Sequence, residues 1–126
     1  MNEKLYTKEH EWVSIEKDKI ALLGITDYAQ KQLGDIVFVE LPEVGKDCSI
    51  GDEIAVVESV KAASEVYSGV SGKVIAVNES IINEPQIINS DPENGGWLVK
   101  IEISNLEDMN ELMSLSKYQS FCSSLE

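Results

Sequence analysis

The sequence predicts one mainly β domain with a few short helices, and three observations support that fold class. The chain has 126 residues, of which 43% are hydrophobic, so it has the size of one domain and enough apolar residues for a core. Short β-branched or apolar runs, separated by turn residues, recur along most of the chain. Helical spacing of apolar residues is confined to a short segment near residue 30 and to the residues after 104. No linker or low-complexity segment divides the chain, so we treat 1–126 as a single domain.

The apolar runs predict several β-strands and one internal helix. The helix is expected at 26–33, because Thr26 can cap its first turn and Gly34 can end its last one. The strands are expected at 12–15, 19–24, 36–41, 54–57, 64–67, 73–77 and 97–103.

The C-terminal segment, 104–126, predicts two short helices that cover one end of the β body. Ser104 and Glu107 have the S-x-x-E spacing of a capping box, and Ser116 and Gln119 repeat it as S-x-x-Q. Apolar residues follow each pair at helical spacing, which supports both helices.

The charge and the apolar pattern restrict the possible partners. The formal net charge is −13, which repels phosphate backbones, so we expect no nucleic-acid partner. The same charge favours partners with basic surfaces, although solubility alone also explains it. No apolar run is long enough to span a bilayer, and residues 1–10 have no apolar signal-peptide core. We therefore expect no membrane partner and a cytoplasmic protein, or a mitochondrial matrix protein if a transit peptide was removed.

Two cysteines and one histidine offer little for metal or nucleophile chemistry. Cys48 and Cys122 are far apart and His10 is the single histidine, whereas a structural zinc usually needs four such ligands. We expect both thiols to be bystanders and His10 to be packed or hydrogen-bonded within the fold. The chain also lacks a phosphate loop and a nucleophile–base pair, so we expect no catalytic residues and no independent enzyme.

The most informative segment is 51–74, a predicted hairpin with a lysine at its centre. Two apolar runs flank 58–63, where a tight hairpin normally has Asn-Gly or Asp-Gly, but the sequence has Val-Lys-Ala. Departures from local turn rules often mark functional positions. Lys61 lies ten residues after Gly51 and eleven before Gly72. We therefore expect glycine-marked turns at the outer ends of the hairpin and the Lys61 amine in solvent.

The residues of this hairpin resemble the lipoyl-attachment motif of the biotinyl/lipoyl carrier family. That motif combines G-D, a β-run, E-S-x-K-A, a second run and S-x-x-S-G. Biotin carriers usually have methionine on both sides of the lysine, whereas this chain has Val60 and Ala62, which favours lipoate. The matching residues are Gly51-Asp52, Glu58, Lys61-Ala62, Glu65, Ser68 and Ser71-Gly72.

The resemblance extends along nearly the whole chain, to the H-protein family of the glycine cleavage system. Gly69 departs from the family pattern because it replaces a usual proline and loosens a turn. Ile81-Ile82 also depart, because residues there are commonly more polar. The segments that carry the resemblance follow one another in register, as 6–13 (YTKEHEWV), 24–30 (GITDYAQ), 33–42 (LGDIVFVELP), 88–92 (INSDP) and 96–101 (GWLVKI).

The resemblance implies a fold and a role. The fold is a barrel-sandwich hybrid, that is, a flattened β-barrel of the lipoyl-domain type with short helices. A lipoate ligase or a lipoyl/octanoyl transferase would join lipoate covalently to Lys61. The arm would carry an aminomethyl group and reducing equivalents from glycine decarboxylase, a pyridoxal phosphate enzyme, to tetrahydrofolate-dependent aminomethyltransferase and dihydrolipoamide dehydrogenase. The chain would be a monomeric, cofactor-bearing carrier subunit.

The resemblance also implies that the loaded arm rests against the protein surface. By position, Glu9, Glu11 and Glu65 could hold the amine of the cargo with their carboxylates. Glu58 could mark the lysine for the lipoylating enzyme. Ordinary solvated charge explains these four residues equally well from the sequence alone.

Three other functions stay open on the sequence alone. A lipoyl donor in a relay to 2-oxoacid dehydrogenases would use the same scaffold and the same lysine. A biotin carrier is disfavoured by Val60 and Ala62. An unmodified interaction module would have Lys61 as an ordinary exposed lysine, which the surrounding motif makes the weaker hypothesis.

Overall fold

The computed structural model describes residues 4–125, which form two antiparallel β-sheets with short helices around them. The larger sheet has the strand order β1-β2-β3-β9-β8-β5, and the smaller one has the order β4-β6-β7. Every pair of neighbouring strands runs antiparallel. The strands are β1 Lys4–Tyr6, β2 Glu11–Lys17, β3 Ile20–Ile25, β4 Ile36–Glu40, β5 Asp47–Cys48, β6 Glu53–Ser59, β7 Ala63–Tyr67, β8 Gly72–Val77 and β9 Val99–Ile103.

The helices are all short and lie around the sheets. They are α1 Asp27–Leu33, α2 Glu79–Asn83, α3 Ile87–Ser90, a 3-10 helix Leu106–Glu111 and α4 Leu115–Ser124. Between residues 4 and 125, none of them is long and apolar enough to cross a membrane.

One buried hydrophobic cluster joins the two sheets. Val13 of the larger sheet and Val57 of the smaller sheet are both fully buried in it. Burying a side chain of this size contributes about 1.5–3 kcal/mol relative to leaving it in water. Two sheets closed around one core form the flattened barrel-sandwich hybrid that the resemblance implied.

A second cluster lies where α4 packs against the larger sheet. It contains Tyr6 of β1, Trp12 of β2 and Tyr118 of α4, all of them buried. Trp12 precedes Val13, and successive residues of a strand point to opposite faces. The C-terminal helix therefore covers the outer face of β1 and β2, while the inner face forms the main core.

Helix α1 has the bounds and the caps that the sequence predicted. Thr26 is its N-cap, and the Thr26 side chain accepts a hydrogen bond from the backbone N–H of Ala29 at 3.2 Å. Gly34 ends the helix with φ at +82°, a conformation that favours glycine.

The two C-terminal helices exist, but the predicted caps are wrong. Asn105, not Ser104, caps the first helix by accepting from the N–H of Glu107, and that helix is a 3-10 helix. Ser114, not Ser116, caps α4 by accepting from the N–H of Lys117. In both cases a second capping residue lies within two positions of the predicted one, so the spacing rule alone could not choose between them.

The sequence prediction missed four short elements and misjudged one glycine. The missed elements have two to five residues each, which is too short to reveal a regular spacing of apolar residues. They are β1, β5, α2 and α3. Gly72 does not mark a turn but begins β8. A Cβ atom at Gly72 would lie 2.1 Å from the carbonyl oxygen of Glu102. Glycine is needed there because two strands approach closely.

We predict that Tyr118→Phe weakens the attachment of α4. The Tyr118 hydroxyl lies 2.8 Å from Nδ1 of His10 and 2.6 Å from Oγ1 of Thr26, and both bonds are lost in the variant. Urea unfolding should show a loss of about 1–2 kcal/mol. Gln119→Ala, an exposed change on the same helix, is the control and should stay within about 0.5 kcal/mol of wild type. Wild-type stability in Tyr118→Phe would contradict the proposed anchoring.

Candidate functional site

The candidate lysine lies at the tip of the hairpin formed by β6 and β7. The two strands are paired out to Glu58 and Ala63, and Ser59, the last residue of β6, precedes the loop between them. Lys61 is exposed at the middle of this loop. The sequence prediction of an exposed lysine between two paired strands is therefore correct.

The Ser59 side chain organises this loop in place of an Asn-Gly turn. Its hydroxyl oxygen accepts from the backbone N–H groups of Lys61 and Ala62, each at 3.1 Å. The N–H of Ser59 also donates to the carbonyl oxygen of Ala62 at 2.8 Å. Serine side chains commonly stabilise turns in this way, so the loop needs no residue with positive φ.

The loop is docked on the C-terminal end of α1. The N–H of Val60 donates to the carbonyl oxygen of Asp35 at 3.0 Å, and Nζ of Lys61 donates to the carbonyl oxygen of Gln32 at 2.8 Å. The last carbonyls of a helix carry partial negative charge, so this is a favourable place for an ammonium group. The lysine thus has a defined position but remains at the surface.

Exposed apolar side chains lie next to Lys61 in the loop and on β4, the strand paired with the end of β6. Val60 is 68% exposed, Val37 is 55% exposed and Phe38 is 50% exposed. Glu58 is paired across the strands with Phe38, so it lies beside this apolar patch. Large apolar side chains that remain in water near one reactive amine are typical of a surface that other proteins contact.

A cleft of about 330 Å³ lies at the other end of β7. Three parts of the chain form it: the turn between β1 and β2, the base of the β6–β7 hairpin, and the C-terminal segment. The lining residues are Tyr6, Thr7, Lys8, Glu9, Glu11, Ile50, Gly51, Tyr67, Ser68, Gly69, Glu111, Leu112 and Met113.

Glu11 is a buried carboxyl group in the wall of this cleft. It is only 3% exposed, and its two oxygens accept from the hydroxyl of Thr7 at 3.0 Å and from the backbone N–H of Tyr67 at 2.7 Å. Burial raises the pKa of Glu11 from 4.5 to about 7, and the two hydrogen bonds oppose that rise. Glu11 is therefore not an ordinary solvated surface charge.

Glu9 and Glu65 are exposed and differ in their relation to the cleft. Glu9 lines it, and its backbone N–H donates to the Thr7 hydroxyl oxygen at 3.2 Å. Glu65 is outside the lining, but it accepts a hydrogen bond from the hydroxyl of Tyr67, a lining residue, at 3.2 Å. The structure therefore brings two of the three predicted carboxylates into one cleft and the third to its edge.

His10 lies between Glu9 and Glu11 in sequence, but its ring packs elsewhere. It stacks on Tyr28 with ring centroids 4.5 Å apart and contacts the Tyr118 hydroxyl at 2.8 Å through Nδ1. Burial lowers the pKa of His10. The position of His10 therefore agrees with the prediction that it is packed and hydrogen-bonded within the fold.

The two cysteines and three of the aromatic residues differ in burial. Cys48 is buried, Cys122 is half-buried, and both are free thiols. Within residues 4–125, no three His, Cys, Asp or Glu side chains are arranged to hold a metal ion. Trp12 is a core aromatic, whereas Trp97 and Tyr67 are only partly buried.

Sequence reasoning missed several residues of the site. Ser59 could have been recognised, since a serine two residues before a loop residue can stabilise a turn. Thr7 contacts Glu11 from four residues away in the chain, whereas Tyr67 contacts it across 56 residues. The role of Tyr67 depends on a tertiary contact that no local pattern contains.

Comparison with known proteins agrees with this geometry. The family model for the glycine cleavage H-protein matches residues 4–125. The glycine cleavage system H protein of Thermotoga maritima is 54% identical over 122 residues, which cover 97% of this chain and 98% of that protein. The namesake protein of Rhodospirillum rubrum is 50% identical over the full length of both chains.

A solved structure gives the same result for the fold. The crystal structure of a glycine cleavage system H protein from Mycobacterium marinum matches with a TM-score of 0.88 and 34% identity, over 96% of this chain and 97% of that one. The chain belongs to the glycine cleavage H-protein family, and its role is that of a lipoyl carrier in the glycine cleavage system.

Proposed function

We propose that lipoate is attached to Nζ of Lys61 and that residues 1–126 act as one carrier domain without catalytic activity of its own. The single observation that carries this proposal is the exposed position of Lys61 at the tip of a well-defined hairpin. Its amine has one hydrogen bond, to the carbonyl oxygen of Gln32. An amide nitrogen keeps one N–H, so lipoylation removes the charge without removing the possibility of that bond.

The length of the hairpin suits a long arm that folds back on the protein. Glu65 lies four residues beyond Lys61, a distance of about 13 Å along an extended strand. A lipoyl-lysine arm contains roughly a dozen bonds of about 1.5 Å, so its extended zigzag spans about 15 Å. The end of the arm therefore reaches the level of Glu65, which is hydrogen-bonded to the cleft residue Tyr67.

The acidic cleft is the proposed resting place for the cargo. When bound, the lipoyl dithiolane supplies the redox and group-carrying chemistry. The chain itself supplies carboxylates for an amine: Glu11 inside the cleft, Glu9 on its wall and Glu65 at its edge. An ammonium that pairs with a desolvated carboxylate forms a stronger hydrogen bond than it does in open water. The cleft would also restrict the access of water to the cargo.

The partners we propose are the enzymes of the glycine cleavage system. These are glycine decarboxylase, aminomethyltransferase and dihydrolipoamide dehydrogenase, together with a lipoate ligase or a lipoyl/octanoyl transferase. A monomer is the simplest form for such a shuttle, because one tethered arm must reach several enzymes in turn. The apolar surface of Val37, Phe38 and Val60 next to Lys61 is available for these contacts, with Glu58 as a recognition mark. The relatives do not favour the lipoate relay, the biotin carrier or the unmodified module.

We predict that Lys61→Ala abolishes lipoylation but leaves the fold intact, because the side chain is exposed. Intact mass after expression with lipoate should show the lipoyl increase in wild type and not in the variant. Lys31→Ala, which changes an exposed lysine of α1, is the control and should be lipoylated. A lipoyl increase retained in Lys61→Ala would place the attachment on another residue.

We predict that Glu11 makes stability depend on pH in a defined direction. Its pKa is raised from 4.5 to about 7 in the folded state, so the folded protein binds the proton more tightly than the unfolded chain. Stability should therefore fall as pH rises from 4.5 to about 7, by up to about 3 kcal/mol relative to Glu11→Gln. Urea unfolding across this range measures the difference. Glu102→Gln, at an exposed position of β9, is the control and should follow the wild-type pH profile, whereas equal pH profiles of Glu11→Gln and wild type would refute the prediction.

We predict that Glu11→Gln and Glu65→Ala shorten the lifetime of the aminomethyl cargo on fully lipoylated protein. Each variant removes one carboxylate from the proposed pairing. The loss of one charge-assisted hydrogen bond should shorten the lifetime of the cargo about tenfold. The decay of the loaded mass in water measures this lifetime. Glu102→Ala, an exposed change on β9, serves as the comparison. If both cleft variants decay at the rate of Glu102→Ala, the cleft does not hold the amine.

A further inference from the structure

The loop that carries Lys61 rests on the junction between α1 and β4, residues 34–36. The carbonyl oxygen of Asp35, in the middle of this junction, accepts from the backbone N–H of Val60 at 3.0 Å. The carbonyl oxygen of Gln32, just before the junction, accepts from Nζ of Lys61 at 2.8 Å. The position of Lys61 therefore depends on where the junction lies.

Regular secondary structure gives this junction little support. Gly34 ends α1 with φ at +82°, a conformation that glycine adopts more readily than other residues. On the other side of Asp35, the pairing of β4 with β6 shifts register between Ile36 and Phe38, which interrupts the ladder of hydrogen bonds. Asp35 thus lies between the end of a helix and the irregular start of a strand.

The side chain of Asn89, on α3, spans this weak point. Its Oδ1 accepts from the backbone N–H of Ile36, and its Nδ2 donates to the carbonyl oxygen of Gly34, both at 2.9 Å. Nδ2 also donates to Oε1 of Gln30 on α1, again at 2.9 Å. One amide group therefore binds the residues on both sides of Asp35 and the helix that precedes them.

Asn89 is itself held in a defined place. It is half-buried, and the residue before it, Ile88, is fully buried in the main core. A polar amide that leaves water needs hydrogen-bond partners, and the junction supplies three of them. A side chain anchored on one side by the core can hold the junction in one position.

We propose that Asn89 is a positioning residue for Lys61, which clamps the residues on both sides of Asp35 and thereby holds the lysine loop in the shape that the lipoylating enzyme binds. The proposal rests on lipoate attachment at Lys61. The hydrogen bonds of Asn89 go to Gln30, Gly34 and Ile36 and not to Lys61, so its effect is on presentation of the amine. A looser junction lowers the fraction of molecules ready to bind, which raises KM for the protein and leaves kcat unchanged.

Asn78 offers a matched control, because it also makes three hydrogen bonds. Its Nδ2 donates to the carbonyl oxygens of Gly95 and Trp97 at 2.9 and 2.8 Å, and its Oδ1 accepts from the N–H of Ser80 at 3.1 Å. These partners belong neither to the lysine loop nor to the junction. Asn78→Ala therefore loses as many hydrogen bonds as Asn89→Ala but leaves the junction unchanged.

The first test is amide hydrogen exchange, which needs no enzyme. In Asn89→Ala the Val60 amide should exchange about tenfold faster than in wild type, because its acceptor is no longer held. The Ser59 amide, which donates to Ala62 within the loop, should keep its wild-type rate.

Two further variants complete this test, and urea unfolding verifies that each variant is folded. Asn89→Asp keeps the size of the side chain but loses its donors, so it should also speed exchange at Val60. Asn78→Ala should leave the Val60 rate unchanged. A wild-type Val60 rate in both Asn89 variants would overturn the proposal, and so would equal acceleration in Asn78→Ala.

The second test measures lipoylation of the unmodified variants by a lipoate ligase supplied with lipoate and ATP. Asn89→Ala should show a KM for the protein about threefold above wild type with an unchanged kcat, whereas Asn78→Ala should match wild type in both. No rise in KM for Asn89→Ala, or the same rise in both variants, rejects the positioning role. A lipoyl mass increase retained in Lys61→Ala would instead reject the attachment on which the proposal rests, and the exchange rates of Val60 do not depend on that result.

Discussion

The hydrogen bond from the backbone N–H of Tyr67 to the buried carboxyl group of Glu11 is the contact on which the site depends. It is 2.7 Å long and joins β2 of the larger sheet to β7 of the smaller one. Tyr67 is the last residue of the strand that begins beside Lys61, so the bond fixes the base of the lysine hairpin against the turn that carries Glu9. A carboxylate that is buried but hydrogen-bonded loses its solvation by water, and its oxygen atoms are held in a fixed orientation. The cleft exists because these two chain segments are held at that distance.

The tip of the hairpin is fixed by a second, independent set of contacts. The Ser59 hydroxyl closes the loop, and carbonyl groups at and just after the C-terminal end of α1 accept from Lys61 and Val60. Helix α1 is itself fixed by its cap, Thr26, whose hydroxyl also contacts Tyr118 of α4. Both ends of the hairpin therefore depend on elements outside it. A shorter chain with the same hairpin but without α1 and α4 would present the lysine with neither support.

Local features of the fold and the site could be predicted from the sequence, whereas features that depend on long-range contacts could not. The helix capped by Thr26 and the exposed loop around Lys61 follow from spacing within ten residues, and both predictions were confirmed by the structure. The true caps, Asn105 and Ser114, lie one and two residues from the predicted ones, so the capping rule located the helices but not their first residues. Burial of Glu11 could not be predicted, because it depends on a contact with Tyr67 of the other sheet that forms only when both sheets are packed. A charged residue type in the sequence gives no measure of its exposure.

The arrangement separates two demands that a carrier of a labile group must meet. The lysine end of the hairpin has exposed apolar side chains such as Phe38, which favour contact with other proteins. The opposite end has the acidic cleft, which favours an isolated amine. The two ends of the hairpin are separated by the length of β7, about 15 Å, which is roughly the reach of the proposed arm. In the proposed carrier, an arm of fixed length would occupy one end or the other but not both, so protection of the cargo and its presentation to an enzyme would be alternative states of one tether. The raised pKa of Glu11, about 7, would fit this proposed alternation, because the carboxyl group would take up a proton near neutral pH when the amine leaves and lose it when the amine returns.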